Sequence, residues 1–349
     1  MAEHNVVKPE KIVATAAGLL EQELILPNLF HKEGIDQFKG AKDDTINVVV
    51  PGVLPFREYA WRNDRSSGIV FDEYAERKIS VTFGGNVYSA VKLTDEQKDF
   101  DIQDWGKLLT PQAKAVSRGL QRKAVTTLVG ADYKVTVGHA RNKLRAALIE
   151  ARRVLNAFNV PDDQRILLVG SEFESAMLND EKLTLAQNVG DARADSALSI
   201  ATMGTLLGFR VVVDQTIPAG DAYAFVASGY IFASGAPSVP ASVPFGATTS
   251  FEGIALRWVR DYDSEHMQDR SVVNTYQGFR TVEDVLVGWD DANNTEVVSA
   301  DEHFVRGIRL SLDEDSVYPL STGTTAQKEL FTITGVGDTN AYPTAEAAS

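Results

Sequence analysis

The sequence contains no cysteine. That excludes disulfides, a thiolate nucleophile and any zinc site built on cysteine. No run of 18 apolar residues is present, so no segment reads as a membrane-spanning helix. The opening residues, MAEHNVVKPEK, lack the basic-then-apolar form of a secretory signal. Neither GxxxxGK[ST] nor a strand-following GxGxxG occurs, which leaves nucleotide phosphates without a recognisable cradle. Five histidines (His4, His31, His139, His266 and His303) are scattered without HxxxH or HExxH spacing, so no metal-ligand set is read from them. Residues 261–269, DYDSEHMQD, begin like a calcium loop, with acids at positions 1, 3 and 5. Position 6 is His266 where the sharp turn needs glycine, and no glutamate stands at position 12, so a calcium site is rejected. No serine sits in a GxSxG elbow. Positive charge is scarce as well: 34 basic residues face 48 acidic ones, a net charge of −14. Such a surface repels phosphate backbones at long range and argues against a general nucleic-acid binder, although a local basic patch can still touch one. The sequence therefore reads as a non-enzyme with no cofactor and no metal.

What is present is the material of a folded protein. Over 349 residues, 44% are hydrophobic and 23% charged, enough for a sizeable core divided into two or three subdomains. The most strongly patterned stretch is 101–129, DIQDWGKLLTPQAKAVSRGLQRKAVTTLV. Apolar residues fall at Ile102, Trp105, Leu109, Ala113, Val116, Leu120, Ala124 and Leu128, at intervals of three or four, which predicts one long amphipathic helix. Asp101 is the expected N-cap, with Asp104 adding a carboxylate to the positive end. Pro111 is expected to kink the helix or to start its second half, and Gly119 is its other blemish. Opposite the apolar face, Lys114, Arg118 and Arg122 recur every fourth residue as a basic stripe. A solvated face is the plain reading of that stripe; the sharper expectation is that it meets acidic groups of its own or a neighbouring subunit.

Around this helix the chain reads in order. Residues 1–43 form an arm with a helical pattern at Ile12, Ala16, Leu19, Leu20 and Leu24, too short to bury its own apolar side. Residues 44–93 read as an extended hairpin: TINVVV at 45–50 and KISVTF at 78–83 are β-branched runs, and 87–93 continues beyond Gly84 and Gly85. The long segment between them is rich in aromatics and in both charge signs, and so long a connection is uncommon without a job. Its candidate inter-subunit residues are Phe56, Arg57, Tyr59, Trp61 and Arg62, types that dominate protein interfaces. After the long helix come an amphipathic helix over 139–158, a buried strand RILLV at 165–169, and a helix through Met177 with a capping box of Ser171 and Glu174. A short helix over 196–203 and strands at 208–213 and 222–226 follow, an alternation that predicts an α/β layer. Residues 234–248, with Pro237, Pro240 and Pro244, read as irregular. Residues 254–262 and 271–281 read as an antiparallel pair. Beyond 285 the chain is acidic and less periodic, with strands at 305–312 and 331–334, and its last residues have the composition of a disordered tail.

This order of elements resembles the major capsid protein of tailed bacteriophages, the Hong Kong ninety-seven fold, over about residues 5–290. The run SAVKLTDE at 89–96 resembles the family's turn from extended loop to spine helix. LLGFRVVVD at 206–214 resembles its valine-rich strand, and RWVRDYD with NTYQGFRTV resembles its peripheral strands. The resemblance implies an α+β fold: an N-terminal arm (1–43), an extended loop (44–93), a spine helix of the peripheral domain (94–130), an α/β axial domain (131–250), peripheral strands with a return (251–285) and a C-terminal extension (286–349). The extension departs from the family core and is expected to be a surface or interface addition. The implied function is self-assembly through hexamers and pentamers into an icosahedral shell around phage double-stranded DNA. Implied partners are the chain itself, a separate scaffolding protein, a portal and a decoration protein, with no membrane and no sequence-specific DNA binding. Assembly is expected in the host cytoplasm and the final location is the virion. An encapsulin-type nanocompartment is the alternative of the same fold, and an α/β enzyme or binding module the alternative of another class.

Overall fold

The structure is a computed structural model. It describes residues 24–33, 45–50, 52, 54–57, 68–69, 71–72, 74, 76–95, 105–139, 144–180, 204–243, 245–251, 254–290 and 295–312. The expected N-cap at Asp101, the helix at 196–203, the strand at 331–334 and the tail lie outside the described residues. The chain divides into two compact units. One comprises Met1–Val48, Ile79–Gly130 and Tyr230–Arg280; the other comprises Val49–Lys78, Ala131–Gly229 and Thr281–Ser349.

In the first unit, α1 (Leu26–Leu29) and β1 (His31–Glu33) precede β2 (Thr45–Val50), β3 (Arg77–Thr82), β4 (Gly85–Thr94) and α2 (Trp105–Val129). The expected strands at 45–50 and 78–83 pair as a two-stranded sheet, β2 with β3. Helix α2 runs through Pro111 without a break. Pro111 lies in its second turn on the exposed side, and the cost of its missing donor, about 3 kcal/mol, is outweighed by what the helix buries. Leu109, Ala113, Val116, Leu120, Ala124 and Leu128 are all at or below 3% exposure. Gly119 is explained by proximity: a Cβ there would meet Val87 Cγ1 of β4 at 2.7 Å. The helix packs that closely on its strand only because position 119 has no side chain.

A six-stranded sheet completes the unit. Strands β10 (Tyr230–Gly235), β11 (Phe245–Phe251), β12 (Ile254–Asp263) and β13 (Gln268–Thr281) run in the order β1-β10-β13-β12-β11, with β4 also on β13. The expected antiparallel pair is β12 and β13, in register from Arg257 opposite Asn274 to Asp263 opposite Gln268. Part of the stretch read as irregular, 234–248, instead supplies the end of β10 and the start of β11. Ladder pairing along 245–251 outweighs the local effect of three prolines upstream.

Helix and sheet are joined by a buried polar seam. Gln112 Nε2 donates to Ser271 O at 3.1 Å and Ser89 O at 3.4 Å. Ser271 Oγ donates to Gln112 Oε1 at 3.0 Å, and Trp258 Nε1 donates to Ser271 Oγ at 3.0 Å. A seam satisfied this completely fixes one register of helix on sheet, since any slip strands buried donors. The arm is anchored here too. Leu26 N donates to Gln121 Oε1 at 3.0 Å, Phe30 stacks on Tyr230 at 4.7 Å, and β1 pairs in parallel with β10.

The second unit holds β5 (Thr136–His139), α3 (Leu144–Ala157), β6 (Arg165–Val169), α4 (Ser171–Asn179), β7 (Thr205–Leu206), β8 (Phe209–Val213) and β9 (Asp221–Val226). After the return from β13 come β14 (Asp284–Asp290), β15 (Thr295–His303) and β16 (Gly307–Leu312). Its sheet order is β5-β16-β9-β6-β8-β7. Leu144, Leu148, Ala151 and Leu155 of α3 pack into its core with Leu167, Val169, Phe173, Ala224, Ile308 and Leu310.

Two sequence expectations are corrected. The cap of α4 is Gly170, with no side-chain cap hydrogen bond, and Ser171 is already helical. The first-turn amides of Glu172 and Phe173 donate to Ala219 O at 3.0 and 3.1 Å, and that of Glu174 to Gly170 O at 2.9 Å, so backbone carbonyls satisfy the start of this helix. Second, the segment from 286 onward is not wholly a surface addition. Its strand β16 lies inside the sheet, parallel to β5 and antiparallel to β9, with Ile308 and Leu310 buried.

Candidate assembly surfaces

Three surfaces among the described residues carry the groups that sequence reading singled out. The first is the connection between β2 and β3. Thr45 Oγ1 and Thr82 Oγ1 lie 3.0 Å apart at its base. Further out, Arg57 Nη2 and Nε donate to the two oxygens of Asp72 at 2.7 and 3.2 Å. That two-point grip holds the outgoing and returning arms together. The Asp72 hydrogen bond and charge raise the Arg57 pKa, and the Arg57 hydrogen bond lowers that of Asp72. Phe56 is 52% exposed. Tyr59, Trp61 and Arg62 lie outside the described residues. Sequence reading passed over the returning arm, where Ile69 and Phe71 are 70% and 88% exposed. The signal was available in GIVFDEY at 68–74, which carries apolar side chains with few polar ones to shield them.

The second surface is the outer side of α2. Lys114, Arg118 and Arg122 are all exposed, as is the adjoining Lys123. Among the described residues no carboxylate lies within ion-pair distance of Arg118, Arg122 or Lys123. The helix 105–129 contains five basic residues and no acidic one.

The third is the turn between β12 and β13. Asp263, Glu265 and His266 bring ligand-type atoms within 4.8 Å of one another. The Asp263 oxygens are already occupied: one accepts from Glu265 N at 3.1 Å, the other faces His266 Nδ1 at 3.0 Å and Gln268 Nε2 at 3.4 Å. Partial burial pushes the Asp263 pKa up, but these hydrogen bonds outweigh it and hold the group below its ordinary value. Arg260 pairs with Asp269 at 2.8 Å, and Arg270 with Asp261 at 2.5 Å. The cluster is a braced hairpin turn, and its chemistry is that of a structural corner.

All three surfaces offer groups suited to contact. A family model described as phage capsid protein matches residues 88–279, from within β4 to within β13, more than half of the chain. No curated protein matches. Among solved structures the fold is similar to that of Mycobacterium phage Che8, at 15% identity, covering 82% of this chain and 90% of that one with a TM-score of 0.58. It is also similar to the mature capsid of bacteriophage PhiM1, at 9% identity, 84% and 88% coverage and a TM-score of 0.56. The capsid of cyanophage P-SCSP1u gives 8% identity, 82% and 90% coverage and a TM-score of 0.55. At these identities the likeness shows a shared mixed α/β fold. The chain belongs to the phage capsid protein family, and its function is that of a major capsid protein.

Proposed function

We propose that this subunit assembles through hexamers and pentamers into an icosahedral shell around phage double-stranded DNA, and that the loop between β2 and β3 docks on an adjacent subunit. In this reading the first unit is the peripheral domain with α2 as its spine, and the second is the axial domain. Strands β10 and β11, inside the expected axial span 131–250, then belong to the peripheral sheet. The role is structural and needs no cofactor or metal. A separate scaffolding protein, a portal and a decoration protein are the further partners, and assembly takes place in the host cytoplasm. Contact with the packaged DNA is without sequence preference, in keeping with the net charge of −14.

The observation that carries the reading is the exposure of Ile69 and Phe71, with Leu54, Phe56 and Tyr74 also exposed. A subunit that stayed monomeric would leave these side chains as an apolar patch on a two-stranded projection, which invites aggregation. Docking them on a neighbour removes the patch at every interface of a closed assembly. Truncating an aromatic anchor of such a contact costs about 2 kcal/mol or more. Trp61→Ala and Phe71→Ala are therefore expected to leave melting of the unassembled subunit nearly unchanged while weakening shells, as read by negative-stain imaging and light scattering. If either change unfolds the free subunit, these aromatics belong to its own core and the docking role is wrong.

A further inference from the structure

The ribbon β14–β15 belongs to none of these surfaces. Among the described strands it hydrogen-bonds only within itself, in register from Asp284 opposite His303 to Asp290 opposite Thr295. Its base is fixed by the Arg306 guanidinium, which grips both oxygens of Asp284. A two-stranded ribbon standing alone is marginal in water. Its composition is one-sided: residues 283–303 contain seven carboxylates (Glu283, Asp284, Asp290, Asp291, Glu296, Asp301 and Glu302) and no lysine or arginine. Helix α2 has the opposite bias, five bases and no acid over its 25 residues.

We propose that the β14–β15 ribbon of one subunit lies along the basic face of α2 in a second copy of this chain. The proposal rests on the shell-forming role and adds to it a named contact. Sign and scale both fit. Six residue steps of β14 extend about 20 Å at the usual strand rise. The 16 steps from Lys107 to Lys123 extend about 24 Å at the helix rise. A basic helix face thus meets an acidic ribbon of similar length. In a chain of net charge −14, this is a place where like copies attract rather than repel. Because the ribbon follows the return from β13, it lies beyond the span 88–279 that the family model matches.

Charge exchange tests the contact. Wild-type subunit, Arg118→Glu/Arg122→Glu, Asp290→Lys/Glu296→Lys and the fourfold combination are each purified, checked by circular dichroism and assembled at moderate salt. Each double reversal is expected to raise the subunit concentration needed for shells by about tenfold or more. The combination is expected to restore assembly to within about threefold of wild type. Arg118→Ala alone removes one exposed pair and is expected to assemble normally. Wild-type shells together with a combination no better than either double reversal would overturn the contact and leave the shell-forming role standing. A ribbon deleted from 286 to 300 that still gives shells at the wild-type concentration would overturn it too. Wild-type subunit that forms no shells with scaffold supplied would instead overturn the role on which the contact rests.

Discussion

Leu310 is the most direct probe of how the second unit is held together. It is fully buried and lies in β16, opposite Val137 of β5 on one side and Ala222 of β9 on the other. Both neighbours belong to the same core. Leu310→Ala deletes three carbons from the centre of that layer. Two ladders fix the backbone at 310, so the gap cannot be closed by moving the strand. The loss is that of transfer plus a retained cavity, about 3 kcal/mol, which lowers the melting temperature of a unit this size by about 6–12 °C. Calorimetry on the unassembled subunit reads this directly. Ile149→Ala is the matched control: the side chain sits on α3 but is 48% exposed, so the change is expected to stay within about 1 kcal/mol. If Leu310→Ala melts within 2 °C of wild type, β16 is not a central strand and the sheet order β5-β16-β9 is wrong.

Two further outcomes follow from individual contacts. A Cβ at Gly170 would meet Pro218 O at 2.4 Å and Ala219 O at 2.6 Å, the second of which also caps α4, so Gly170→Ala is expected to destabilise the subunit by about 1–3 kcal/mol. Gly84→Ala, with nothing within 4 Å of its Cβ, is the silent comparison in the same chemical melt. The Tyr223 hydroxyl donates to Asp221 Oδ2 at 3.1 Å, and burial first, then the Asp221 charge, raises its pKa. Stability from this raised pKa is present below the unfolded tyrosine value and is lost as pH rises through and beyond it, since the unfolded chain then releases a proton that the folded chain retains. Alkaline unfolding above about pH 10 is expected to be less steep in Tyr223→Phe than in wild type. Equal slopes would mean that the phenol titrates freely.

How much of this was legible depended on whether a residue's partner was near in sequence. Helix α2 was legible because its pattern is self-contained: six apolar positions at intervals of three and four all reach the core. The β-branched runs at 45–50 and 78–83 were likewise sufficient for strands. Strand β16 could be read as a strand but not placed. Alternation tells which side chains share a face and says nothing about which strands lie alongside, and the ribbon at 284–303 separates β16 from the rest of its layer. Ser171 and Glu174 satisfied the spacing of a capping box, but Ser171 is already helical, Glu174 N donates to Gly170 O, and the amides of Glu172 and Phe173 go to the distant Ala219 O. Arg57 read as free to reach a neighbour, whereas Asp72, across the loop, holds it within the subunit. Gly119 read as a flaw because Val87 could not be seen beneath it. The direct contact residues of the candidate surfaces were legible as types only, since exposure depends on everything that fails to cover them.

The uneven placement of charge bears on how a shell of such subunits can close at all. Copies of net charge −14 repel, and that repulsion acts over distances comparable with the screening length, about 8–10 Å at ordinary salt. Contacts between a ribbon carboxylate and an α2 guanidinium act at about 3 Å, well inside that length. Salt therefore removes the long-range repulsion before it weakens the short-range pairs, and moderate ionic strength favours closure while high ionic strength erodes it. A surface of evenly mixed charge would give no such window. Concentrating bases on the outer side of one helix and acids on one ribbon lets an acidic subunit still recognise its own kind. The apolar loop residues Ile69 and Phe71 supply adhesion without direction; the charged elements supply orientation, because turning the ribbon onto another side of α2 takes its carboxylates off the basic stripe.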